Sequence, residues 1–117
     1  MNFLDAINVH IAWKLRLQEY ISGTSHEDLN ANAIGKDDQC ELGHWLYHKG
    51  KKYRNLPLYE QVKDKHALFH TYAAEIVRMT DANKSVEAQD LLSNVYAPVS
   101  NDIKALIVQL SRQVHSQ

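Results

Sequence analysis

Between Pro57 and Asp81, the residues Leu58, Val62, Phe69, Ala73, Ile76 and Val77 recur at three- and four-residue intervals. A helix gathers such a set on one face. His66 falls on that same face, and His70 lies one turn further along it. A long helix with one apolar face needs other helices to cover it. Here the cover must also accommodate two imidazoles. Pro57 suits the first turn, where its missing N–H costs nothing.

The rest of the chain supplies that cover. From Phe3 to about Ile21, one stripe carries Phe3, Ala6, Ile7, His10, Trp13, Leu17, Tyr20 and Ile21. A narrower stripe of Leu4, Ile11 and Leu15 flanks it, so this helix asks for more than one neighbour. Residues 22–36 are polar and read as a loop, with one helical turn near Glu27 to Asn32. The segment KDDQCELGHWLYHKG then predicts a short helix, with Asp37 or Asp38 as its N-cap, Cys40 in its first turn and Gly50 at its end. A last helix is predicted from Ser85 to Gln113, kinked or interrupted near Tyr96 by Pro98. The expectation is an all-α fold: an antiparallel four-helix bundle of three long helices and one short one, forming a single domain over residues 1–117.

Composition narrows the function. A net charge of −1 offers no basic footprint for nucleic acid. No apolar run is long enough to cross a bilayer, and no charged-then-apolar leader begins the chain. One cysteine cannot form an internal disulfide, which fits a reducing cytoplasm. Seven histidines are an excess, and histidine is the commonest metal ligand.

Three of those histidines and the cysteine fall where a bundle would bring them together. His10 is central in the first stripe, His66 and His70 are central in the third, and Cys40 opens the short helix between them. Buried polar groups must be satisfied. One core histidine can bond to a carbonyl, but three with a thiol are more simply satisfied by one metal ion. Thiolate and imidazole suit zinc better than magnesium or calcium, at about 2.3 Å for sulfur and about 2.0–2.1 Å for nitrogen. A second i, i+4 pair, His44 and His48, sits beside Cys40, with His48 as the stronger competing ligand. His26 and His115 lie in polar surroundings and read as solvated.

The stretches VHIAWKLRLQEYI, CELGHWLYHKG and LPLYEQVKDKHALFH resemble the chemoreceptor zinc-binding domain family over roughly residues 5–77. The matching positions are His10 with Trp13, then Cys40 with Leu42, Gly43 and Trp45, then Leu56 and Pro57, and finally His66 and His70. The resemblance implies a zinc ion held by His10, Cys40, His66 and His70 in a four-helix bundle that is usually a homodimer. It also implies a cytoplasmic sensory domain working with a chemoreceptor or a diguanylate cyclase, and responding to zinc or to oxidants such as hypochlorous acid. No methyl-accepting helix or cyclase domain is read in this chain, which is then either a stand-alone member or a fragment of a longer protein, with a signalling protein or domain of that type as its output.

Four protein donors leave no position for a zinc-bound water, so the expectation is a regulator and not an enzyme. Zinc and a helix N-terminus both favour the Cys40 thiolate, which an oxidant converts to sulfenic acid, a weaker ligand. The rival readings are a zinc-stapled dimerisation bundle without sensing, and a haemerythrin-like di-iron oxygen-binding protein. The second needs carboxylates at helical spacing, yet no histidine here is followed four residues on by glutamate.

Overall fold

The computed structural model describes residues 1–115, and every regular element among them is helical. Helix α1 spans Phe3–Ser22. The Asn2 side chain accepts a hydrogen bond from the Asp5 N–H, and Gly23 closes the helix at φ +76°, a left-handed conformation that glycine adopts without strain. A short turn, α2 (Ala31–Ile34), follows the loop and is capped by Asn30. The bidentate Arg16–Glu27 pair, at 2.7 Å, ties that loop to α1, and Leu29 is buried beneath it.

Helix α3 covers Glu41–Tyr47. Its N-cap is Cys40 itself, whose Sγ accepts from the Gly43 N–H at 3.4 Å. Neither Asp37 nor Asp38 takes the expected capping role. The Asp37 carboxylate instead accepts from the Tyr47 hydroxyl at 2.6 Å, across the length of the same short helix. Nor does Gly50 mark the end of α3, which stops at Tyr47; Gly50 lies in a following 3₁₀ turn, Lys49–Tyr53, against the Trp45 ring.

Helix α4 runs Pro57–Asp81, with Pro57 in its first turn as expected. It is the central element and touches α1, α2 and α3 on one side of its circumference or another. It also packs on the C-terminal arm, α5 (Ser85–Leu91) and α6 (Ala97–His115). Its residues Val62, Phe69, Ile76 and Val77 are fully buried, with α1's Leu17 and α6's Ile103, Ile107 and Leu110 in the same core. Each fully buried Leu, Ile or Phe favours folding by roughly 1.5–3 kcal/mol, which is the reserve against which polar burial must be set.

The predicted interruption at Pro98 is present, but it is a π turn at Leu92–Tyr96, upstream of the proline. The Ala97 N–H bonds to the Leu92 carbonyl, five residues back. Pro98 has no N–H to continue an ordinary α ladder, and the wider turn takes up the misfit. It carries Tyr96 fully into the core, with its ring centroid 5.1 Å from that of Phe69. The flanking stripe of α1 has no cover: Leu4, Ile11 and Leu15 are 64%, 46% and 62% exposed.

Candidate metal centre

Four side chains from three elements converge in the core. His10 comes from α1, Cys40 from the N-cap of α3, and His66 and His70 from α4. Each offers one ligand atom, and these atoms all lie within 4.8 Å of one another. Cys40 Sγ is 3.1 Å from His66 Nε2, 3.6 Å from His70 Nε2 and 4.0 Å from His10 Nε2. His66 Nε2 and His70 Nε2 are 3.0 Å apart. A zinc tetrahedron built with ordinary bond lengths has edges of about 3.3–3.6 Å. The observed edges bracket that figure, and His10 stands furthest out.

The protons decide what such a cluster can be. His10 Nδ1 lies 2.6 Å from the Ala6 carbonyl oxygen, and His70 Nδ1 lies 2.8 Å from that of Ile34. A carbonyl only accepts, so the ring proton of each neutral imidazole sits on Nδ1 and the Nε2 lone pair is bare. Both lone pairs face the sulfur. A neutral cluster then has two protons at most, on Cys40 Sγ and on His66 Nε2, for four donors crowded together. A cation at their centre satisfies all four at once. The residues therefore fit a metal ion of the thiolate–imidazole class, and the cluster contains no carboxylate of the kind that bridges two irons.

Burial keeps the rings ready for such a role. Desolvation holds His10 down at about 4, and it lowers His66 further, with the neighbouring His70 adding to the effect. His70 is lowered too, chiefly by burial, against the opposing pull of the Ile34 carbonyl. All three are neutral at neutral pH. At Cys40 burial outweighs the backbone N–H groups of Gly43 and Leu42, so the thiol is raised above its ordinary value. The helix N-terminus favours the thiolate as expected but does not alone outweigh burial; a bound cation would have to supply the difference.

The supporting shell explains the local sequence. A Cβ at Gly43 would meet the Asp37 carbonyl oxygen at 1.7 Å, so only glycine lets the 37–40 loop press against α3 and deliver Cys40. Phe69 sets its ring edge-on to His10, at 4.9 Å, and to His70, at 5.4 Å. His66 Nδ1 is the exception: it is buried with no partner, at a cost of about 1–3 kcal/mol. The Ile34 carbonyl is a backbone oxygen and leaves no mark in the sequence; the local signal for it is Asn30, a good cap for the turn that carries it.

The other histidines stay outside. His44 and His48 are exposed and stack on each other, and His26 and His115 are exposed elsewhere. Among the described residues no helix is long and apolar enough to cross a membrane.

Comparison with known proteins gives one finding. The family described as the chemoreceptor zinc-binding domain matches residues 10–77, from His10 to the last buried turns of α4. Neither the curated proteins nor the solved structures yield a match. The matched segment is more than half of the chain and contains all four converging side chains, so the chain belongs to the chemoreceptor zinc-binding domain family.

Proposed function

We propose that this chain is a cytoplasmic zinc-binding regulatory domain in which His10, Cys40, His66 and His70 hold one zinc ion and Cys40 couples the site to helix packing. The observation that carries it is the pair of backbone carbonyls, Ala6 and Ile34, that fix two rings with their Nε2 lone pairs turned to the Cys40 sulfur. When bound, zinc would supply the positive charge that keeps this buried sulfur anionic. With four protein donors no water need be bound and activated, so the reading is regulatory and not enzymatic.

Cys40 is both a donor and the N-cap of α3. It is only partly buried, so a small oxidant has a route to it. Hypochlorous acid would convert the thiolate to sulfenic acid and release chloride. That change removes the anionic donor and weakens the acceptor for the Gly43 N–H. Three neutral imidazoles would remain facing one another, and the start of α3 would lose its anchor. We take the surrounding unit to be a single antiparallel four-helix bundle, α1, α3, α4 and the α5–α6 arm; the packing of α4 against all the others supports this. The uncovered Leu4, Ile11 and Leu15 stripe supports a homodimer through α1. Output would pass to a partner protein or domain of the chemoreceptor or diguanylate cyclase type.

The test treats zinc-loaded protein with sub-stoichiometric to equimolar hypochlorous acid and follows zinc release with a chromogenic chelator. Release should track sulfenic acid at Cys40 and reverse with a thiol reductant. Oxidised Cys40 with zinc still bound would reduce the site to a structural staple. Sedimentation at micromolar concentration should report a dimer.

A further inference from the structure

The exposed pair at the end of α3 remains without a role in that reading. His44 and His48 lie face to face, with ring centroids 4.2 Å apart and planes 16° from parallel. His48 Nδ1 is 2.8 Å from the His44 carbonyl oxygen, four residues back. That is the same device that holds His10, whose Nδ1 meets the carbonyl of Ala6 at the same spacing. Here too the carbonyl fixes the proton on Nδ1 and leaves Nε2 as a bare donor. The two rings line a surface cavity of about 290 Å³ with Glu41, Trp45, Met1 and Lys49.

We propose that His44 and His48 form a second metal site, open to solvent and separate from the core cluster, for divalent transition ions that favour imidazole: copper, nickel or zinc. Two imidazoles at i, i+4 can share one ion, with water completing its coordination. Both rings are exposed, so a rotamer change that opens the stack can turn their Nε2 atoms onto one ion. Glu41, whose carboxylate accepts from the Asn2 N–H at 3.3 Å, and Lys49 line the same cavity with opposite charges. With two protein donors and no buried thiolate, this site is weaker than one built from four.

The experiment uses the full chain already loaded with one zinc and titrates it with Ni²⁺, by calorimetry and by quenching of Trp45 fluorescence in a Trp13→Phe background. A second equivalent should bind and quench Trp45, which lines the same cavity. His44→Ala or His48→Ala should each weaken it at least tenfold, and the double variant should abolish it. His26→Ala and His115→Ala should leave it unchanged, and the first zinc should stay bound in every case. Absence of a second equivalent overturns the proposal. So does a second equivalent that survives in the double variant, since it must then belong to the amino terminus or another group.

Discussion

His66–His70 and His44–His48 share one spacing, yet the first pair meets edge to face at 4.5 Å in the core and the second stacks at 4.2 Å in solvent. Spacing accounts for the shared helix face and for nothing more. What separates the pairs is what other elements bring to them. The α4 pair receives a ring from α1, a thiol from the α3 cap and a carbonyl from α2. Among the described residues the α3 pair is hydrogen-bonded only within its own segment. Preorganisation by distant segments, and not the His-x-x-x-His pattern, makes one pair a four-donor centre.

Deleting one donor from each pair should break the comparison most visibly. His66→Ala and Cys40→Ala should each lower zinc affinity more than a hundredfold by chelator competition, because a closed site loses a quarter of its donors. His44→Ala and His48→Ala should leave the tight zinc in place. The reverse pattern would reassign the metal to the surface pair. In excess zinc the wild type should melt higher than after chelator treatment, and the donor variants should lose that gain.

The second measure concerns packing. Phe69 touches His10, His70 and Tyr96, so it links the donors to the π turn. Phe69→Ala should destabilise the fold by about 3–5 kcal/mol in urea unfolding, through lost contact and a residual cavity. Truncating His44 or His48 itself should not approach that, since neither ring is buried. A loss under about 1 kcal/mol would mean that the core around the cluster collapses freely and does not position it.

Acid should also part the two sites. His10 titrates at about 4 in the fold, against 6.5 for an unperturbed ring, and His66 and His70 are lowered as well. The unfolded chain therefore takes up protons first as pH falls. This contribution is fully present above pH 6.5 and is lost progressively below it, by about 3 kcal/mol for His10 alone on reaching pH 4. Urea midpoints of the metal-free protein from pH 7 to 4 should show that fall. His66→Leu should make the fall shallower while the share of His10 remains, and the His44→Ala, His48→Ala double variant should keep it whole. A profile that is as steep in His66→Leu would place the acid sensitivity elsewhere.

How much of this was legible differs by element. The stripes of α1 and α4 reported their burial directly, because periodicity is a property of the residues themselves. Periodicity marks His10, His66 and His70 as inward-facing, whereas Cys40 stands out only as the lone thiol opening a short helix and the set of four is what the family resemblance implies; the structure places the four together. Residue type points to Asp37 or Asp38 as the cap of α3, because aspartate is the better cap, and no local signal says that Asp37 is engaged with Tyr47 at the other end of the helix. Pro98 announced an interruption but not its form, since a π turn depends on where Tyr96 can pack. The rise of the Cys40 thiol was hidden for a similar reason: the N-terminal position is written in the sequence, whereas the burial that outweighs it is a tertiary fact.

The smallest expected effect tests whether α2 serves the core site at all. Asn30 accepts from the Ala33 N–H at 3.0 Å and so closes the first turn of a four-residue helix. The last residue of that turn, Ile34, presents the carbonyl that fixes His70. The exposed pair has no counterpart, because His48 uses a carbonyl of its own segment. Asn30→Ala should cost about 1 kcal/mol of stability as a lost cap. If α2 also orients His70, zinc should dissociate several-fold faster, because removing an outer partner outright costs roughly 10–100-fold and a loosened one costs less. Asn30→Asp keeps an acceptor at the cap and should restore both values. Stability lost with the zinc off-rate unchanged would make α2 a simple loop clamp, and the placement of the His70 ring would then rest on α4 alone.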